Sequence, residues 1–198
     1  MIFFSSDCHF DHDNVIKFCK RPTTPENHNR WIIQQYNKKM KDKDTMYFLG
    51  DFCFNQNAQH IANIMKQLKG TWHFVLGNHD KRRIMKQAVE ILYHETGRKF
   101  HIMELYDTVK INGYEIILCH FPMATWNKRR YKTLHLHGHL HGFKQDDGQD
   151  IEQTQYRMDV GLDGHPKFEP YSFNDITDIM GLPYVKVKPV KNKILEKV

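Results

Sequence analysis

Five short apolar runs punctuate the chain, and each breaks off into side chains that can bind a metal. Ile2-Phe3-Phe4, Met46-Tyr47-Phe48-Leu49, Phe74-Val75-Leu76, Ile116-Ile117-Leu118-Cys119 and Leu134-His135-Leu136 have the length and composition of strands. They lead into Asp7-Cys8-His9, Gly50-Asp51, Gly77-Asn78-His79-Asp80, His120 and Gly138-His139-Leu140-His141. Helical spacing separates the first three runs. A short helix around residues 14–20 stops at Arg21-Pro22, and a longer one opened by Thr24-Pro25-Glu26 continues through Met40. A third covers 57–68 with Ile61, Ile64, Met65 and Leu68 on one face, and a fourth covers 81–93. This alternation predicts parallel strands joined by right-handed crossovers. In such sheets the carboxyl ends of the strands form one ligand-binding rim, so the five endings are expected to meet there.

The second half has a different pattern. Asn112-Gly113 separates two alternating runs, Val109 to Ile111 and Tyr114 to Ile116, and predicts a hairpin. Strands are expected at 133–137 and 157–160 and a helix near 174–180. An antiparallel-rich second sheet facing a parallel first one, with helices outside, gives an α/β fold in a single domain over residues 1–180. Residues 144–155 read as a polar loop. Residues 181–198 form a Lys-rich C-terminal extension, where Val185, Val187 and Val190 interleave with lysines as in an edge strand or a frayed end.

Composition narrows the class. With 198 residues, 40% hydrophobic and 26% charged, the chain suits one globular domain. No window nears the ~18 uninterrupted apolar residues of a membrane span. Strand and ligands begin directly after Met1, leaving no room for a signal peptide, so the expected location is cytoplasmic. Cys8, Cys19, Cys53 and Cys119 form no CxxC pair and read as reduced, mostly buried small hydrophobes, with Cys8 and Cys119 facing away from the adjacent ligands. A net charge of +6 favours an anionic partner as much as it describes a basic surface. Nothing in the sequence specifies an oligomeric state.

A mixed set of imidazole, carboxylate and amide suits Mn, Fe, Zn or Ni. Asp7, His9, Asp51, Asn78, His120, His139 and His141 provide four bonds to each of two divalent ions if Asp51 bridges them, leaving positions open for water and substrate. A structural zinc site would be a closed, cysteine-rich tetrahedron instead.

In this order, the five blocks resemble those of the calcineurin-like metallophosphoesterase superfamily, and they span residues 7 to 141. The stretch from Ser6 to Ile16, with Cys19-Lys20-Arg21-Pro22, is similar to a branch of small bacterial and phage phosphoesterases. The resemblance implies a four-layer αββα sandwich of two mixed sheets flanked by helices, with a dinuclear centre on one rim. It implies that Asp7, His9 and His141 hold one ion, that Asn78, His120 and His139 hold the other, and that Asp51 bridges. The second block lacks the further Asp of the commoner GDxxD form, which weighs against phosphoprotein-phosphatase chemistry.

His79, one residue past Asn78, is expected to face the substrate and protonate the leaving alkoxide. Asp80 has two uses open: fixing the tautomer of His79, or capping the helix that follows. His12, Asn14 and Arg21 are candidates for the substrate pocket, Arg21 through a bidentate phosphate contact; as structural residues they are a loop histidine, a helix cap and a solvated arginine. Trp126-Asn127 with Lys128-Arg129-Arg130 would stack on and hold a nucleotide, or form a charged surface turn. His135 and His137 are structural. The expected activity is hydrolysis of a phosphodiester or phosphomonoester, nucleotidic by preference, by a hydroxide activated at two divalent ions, with Mn²⁺ the ion to assay. The alternative is a nucleotide- or nucleic-acid-binding protein whose metals only position a phosphate.

Overall fold

The computed structural model describes residues 1–143 and 156–183, together with the backbone pairing at 145–146 and 149–150. Within the expected 144–155 loop, residues 145–146 and 149–150 pair as short strands instead; the rest of that segment and the extension past residue 183 lie outside the described residues.

Two sheets carry the fold. In the first, β1 (Ile2–Ser5), β2 (Thr45–Leu49), β3 (Thr71–Val75) and β4 (His101–Ile102) run parallel, and β11 (Tyr171–Ser172) pairs antiparallel with β1. The second has the order β10 (Arg157–Asp159), β7 (Leu134–His137), β6 (Tyr114–Cys119), β5 (Tyr106–Ile111). The short β8 (Gln145–Asp146) and β9 (Gln149–Asp150) pair with each other.

The first three strands read as unbroken apolar runs because both their faces are buried. Phe3, Phe48, Trp72 and Phe74 turn outward and pack on Ile32 and Tyr36 of α2 (His28–Lys39), Ile61 and Met65 of α3 (Ala58–Gln67), and Met85 and Leu92 of α4 (Arg82–Thr96). The alternate residues Phe4, Leu49 and Val75 turn inward and meet Ile116, Leu118, Leu134 and Leu136 of the second sheet. Burying one such side chain contributes about 1.5–3 kcal/mol, so a cavity at Phe48, buried in the outer core, would cost about 3–5 kcal/mol. α5 (Phe173–Ile179) starts in a capping box between Ser172 and Asp175 and closes the inner core with Phe173 and Ile176. The architecture is the expected sandwich of two mixed sheets with helices.

The second sheet departs from expectation in one respect. Only the β5–β6 hairpin is antiparallel among its described strands; Asn112 and Gly113 take its turn at φ 50° and 82°. β6–β7 and β7–β10 are parallel. The cause is the connection through residues 120–133, which carries the chain back to the start of the sheet without a regular helix longer than Arg129–Tyr131. That connection packs the buried Trp126 against His135, ring centroids 5.2 Å apart, with its indole N–H donating to the Thr133 carbonyl at 2.9 Å.

Candidate metal centre

The five strand endings converge, and they do so on an unusual backbone. Asp7, His9, Asp51, His139 and His141 all have positive φ, between 49° and 74°. Each such non-glycine residue costs about 1–3 kcal/mol and persists only where surrounding bonds hold it. Here the N–H of Asp7 donates to Gly50 O at 2.9 Å and that of His9 to Asp51 O at 3.0 Å, so the loop after β1 stays zipped to the loop after β2. Close approach explains two glycines. A Cβ on Gly77 would lie 2.2 Å from Asp51 Oδ1, and one on Gly138 would lie 2.6 Å from Asp7 Oδ2.

The donor atoms fit divalent cations. Asp7, His9 and His141 each bring one ligand atom within 4.8 Å of the others, as do Asp7, Asp51 and His120. His9 is 4% exposed, and neither of its ring nitrogens has a hydrogen-bond partner. Its Nε2 stands 3.6 Å from Asp51 Oδ2, too far for a hydrogen bond. An unsatisfied buried polar group costs about 1–3 kcal/mol, which a metal bond removes. His120 donates from Nδ1 to the Leu49 carbonyl at 2.7 Å, directing Nε2 toward Asn78 Oδ1 at 2.9 Å and Asp51 Oδ2 at 3.5 Å. That nitrogen carries a proton between the two oxygen acceptors in the absence of an ion and yields its lone pair when a cation sits among them. His139 adjoins this second group, its ring centroid 5.2 Å from that of His120, and its N–H donates to the Asp7 carboxylate at 3.0 Å.

Without ions the crowded charges displace one another's pKa values. Burial raises Asp7 to about 6 against the pull of His141 and His120. Burial also pushes Asp51 up, but His120 and His9 hold it well below the usual carboxylate range. Desolvation lowers His120, yet Asp51 and Asp7 lift it to about 9. His9 is driven well below its ordinary value by burial and by His141, so it stays neutral with a free lone pair.

A second layer of residues escaped sequence reasoning. Asp163 Oδ2 lies 2.7 Å from His141 Nδ1, and Cys19 Sγ lies 3.4 Å from the same nitrogen. Desolvation opposes the charge on His141, but Asp163 and Cys19 raise it to about 11. Asp159 accepts the N–H groups of Gly142 and Gly161, pinning the loop that carries His141. One signal pointed here: Met158-Asp159-Val160-Gly161-Leu162-Asp163 is a sixth apolar run ending in acids.

Several expected site residues take other roles. Arg21 does not reach a substrate. It is buried, and its five N–H groups go to Asp163 Oδ1 and Oδ2, His28 Nε2 and the carbonyls of Asp7 and Cys8, at 2.6 to 2.9 Å, so no donor remains for a phosphate. Asp80 neither caps a helix nor holds His79. Its carboxylate accepts the N–H groups of Asp51, Phe52 and Gly77 at 2.8 to 3.0 Å and locks the second block to the third. Asn14 is no cap either, since His12 occupies that position at the start of α1 (Asp13–Phe18). Asn127 is exposed and lies outside the metal pocket; its N–H donates to Tyr106 Oη and its carbonyl accepts from Thr133 Oγ1. Trp126 is committed to the core, and Lys128 Nζ pairs with Glu115 at 2.9 Å, so this turn is a surface feature.

His12 and His79 do stand at the metal pocket, a hollow of about 200 Å³ that they line with His9, Asp51, Asn78, His139 and His141. The N–H of His79 donates to Asp51 Oδ1 at 2.9 Å, and its ring meets His9 edge-on at 5.4 Å.

A cluster of imidazoles and carboxylates at the carboxyl ends of packed mixed sheets defines a metallohydrolase site. Residues 1–185 match the model of the calcineurin-like phosphoesterases, and the chain belongs to that family, whose members are metal-dependent phosphoesterases. It is 31% identical over 164 residues to an uncharacterized protein of Methanocaldococcus jannaschii, covering 82% of this chain and 81% of that one. A protein of unknown function from Aquifex aeolicus shares the fold at a TM-score of 0.63 and 24% identity, over 90% of this chain and 98% of that chain. A phosphoesterase from E. coli, at a TM-score of 0.37, 14% identity and coverages of 81% and 78%, is too distant to bear on the site.

Proposed function

We propose that the protein hydrolyses an anionic phosphoester, a diester or monoester, at a dinuclear centre. In this reading Asp7, His9 and His141 hold one divalent ion, Asn78, His120 and His139 the other, and Asp51 stands between them. The observation that carries it is the pair of orphaned nitrogens on buried His9, beside a His120 nitrogen aimed at two oxygens. When bound, such ions supply Lewis acidity for the phosphoryl oxygens and lower the pKa of water. The chain supplies the rest. His79, exposed at the mouth with its backbone fixed by Asp51, delivers a proton to the departing oxygen, a step worth roughly 10²- to 10⁴-fold. Asp80 and Asp163 hold the loops and the His141 ring in place, so the ligands need no rearrangement to bind.

The net charge of +6 supports an anionic substrate. No helix among the described residues is long and apolar enough to cross a membrane. The four free cysteines support a reducing compartment, the cytoplasm.

The test is hydrolysis of an aryl phosphodiester and an aryl phosphomonoester by metal-stripped protein, before and after adding Mn²⁺. Turnover restored by Mn²⁺ is the expected outcome. Protein that binds Mn²⁺ and inorganic phosphate but turns over neither ester would favour a phosphate-binding role instead.

A further inference from the structure

The hollow over the ligands, about 200 Å³, is smaller than the ~300–1,000 Å³ of a site that engulfs a drug-sized molecule. It admits a phosphoryl group with its nearest substituent and leaves the remainder of a substrate against the rim. That rim is aromatic. Phe18 and Phe143 line the mouth and are 71% and 54% exposed. Phe54, 46% exposed, lies flat on His12 with centroids 4.5 Å apart and planes 8° from parallel, and reaches His79 at 5.7 Å. Phe121, also 46% exposed, packs edge-on against His139 at 4.8 Å and His120 at 5.0 Å. The chain has thirteen phenylalanines, and these four are the ones exposed; all four touch the pocket or its histidines. Large apolar side chains exposed singly are ordinary, but a set ringing one charged hollow marks a binding surface.

We propose that Phe18, Phe54, Phe121 and Phe143 form a collar on which nucleobases stack, so that the substrate is a nucleoside phosphoester. The proposal rests on the phosphoesterase reading above and deepens it. Flat, separate rings suit planar bases, each of which offers a π-face. An acyl chain would instead need a continuous aliphatic wall, and the one aliphatic residue lining the pocket, Val15, is buried. The four phenylalanine side chains carry no hydrogen-bonding group to read base edges, so the collar accepts purines and pyrimidines alike. The basic charge of the chain complements the phosphate backbone of such substrates.

The experiment is calorimetric titration of the full-length protein loaded with Mn²⁺, using adenosine monophosphate, ribose 5-phosphate, adenosine and a lysophospholipid. Adenosine monophosphate is expected to bind roughly 5- to 150-fold more tightly than ribose 5-phosphate, the usual worth of one stacked base. In the double variant Phe18→Ala/Phe143→Ala that ratio should fall toward one, with metal content and thermal unfolding confirming an intact fold. Equal affinities in the unaltered protein would overturn the collar, as would a ratio that survives the double substitution or a preference for the lysophospholipid. Adenosine separates the two readings. If no phosphate-bearing ligand binds but adenosine does so through Phe18 and Phe143, the phosphoesterase reading fails and the collar stands; if adenosine also fails to bind, both fall.

Discussion

His141 Nδ1 and Asp163 Oδ2 are 2.7 Å apart, and the same carboxylate receives two N–H groups from Arg21. The pair turns Nε2 of His141 toward Asp7 and fixes which nitrogen presents its lone pair to an ion. Arg21 in turn grips the carbonyls of Asp7 and Cys8, so one chain of bonds joins the first ligand block to the last.

Asp163→Asn should therefore lower Mn²⁺ affinity about 10- to 100-fold, the usual worth of a partner that orients a ligating histidine. Titration calorimetry would show it. Unaltered affinity would mean that packing alone orients His141.

The same carboxyl gives an acid-stability prediction. Burial works to raise its pKa, but Arg21 and His141 hold it at about 2. A depressed carboxylate contributes stability that is complete above its unfolded value, near 4, and is lost as pH falls toward 2. Thermal unfolding of the metal-free protein should lose roughly 2 kcal/mol from this group across that window, and Asp163→Asn should flatten the slope there.

His79→Asn should keep both ions and the fold but lower kcat by roughly 10²- to 10⁴-fold on esters with a poor leaving group. The loss should shrink with nitrophenolate, which leaves without a proton. His120→Ala should lose metal and activity together. Metal analysis beside kcat separates the cases, and loss of metal in His79→Asn would make His79 a ligand.

Asp51→Asn should reduce metal occupancy more than any other single ligand change, because Asp51 adjoins both His9 and His120. Elemental analysis after dialysis is the readout. A single retained ion in a fully active protein would point to a mononuclear centre.

Replacing Lys128, Arg129 and Arg130 together with Ala should leave KM within about twofold, since uniform binding changes only where substrate touches. Lys128 is engaged with Glu115, and Arg129 stacks over the Trp126 ring at 5.2 Å. A large rise in KM for an oligonucleotide alone would extend the substrate path across that face.

The candidate ligands could be singled out in the sequence because they gather at the ends of five strands, where local motif and local geometry coincide. Phe3 and Phe4, Phe48 and Leu49, and Phe74 and Val75 likewise announce two buried faces by being apolar in succession. Arg21 was misread because its partner lies 142 positions away, and an arginine after a short helix looks solvated until Asp163 is folded onto it. Asp80 sits where a helix cap belongs, yet three N–H groups from two neighbouring loops outcompete that use. The parallel course of β7 was hidden because residues 120–133 have no periodic pattern to announce a crossover. The collar was invisible for a different reason: sequence shows thirteen phenylalanines and does not say which four are left outside.

Five of the candidate ligands, Asp7, His9, Asp51, His139 and His141, stand in left-handed backbone that only glycine adopts without cost. Glycine at positions 9, 51 and 141 would relax that strain and erase three of the proposed ligands at once, although glycine gains entropy in the unfolded chain and returns part of the benefit. An engineer selecting for heat resistance alone would thus be drawn toward an inert protein. Selection for thermostability in this scaffold has to be run under a simultaneous demand for turnover.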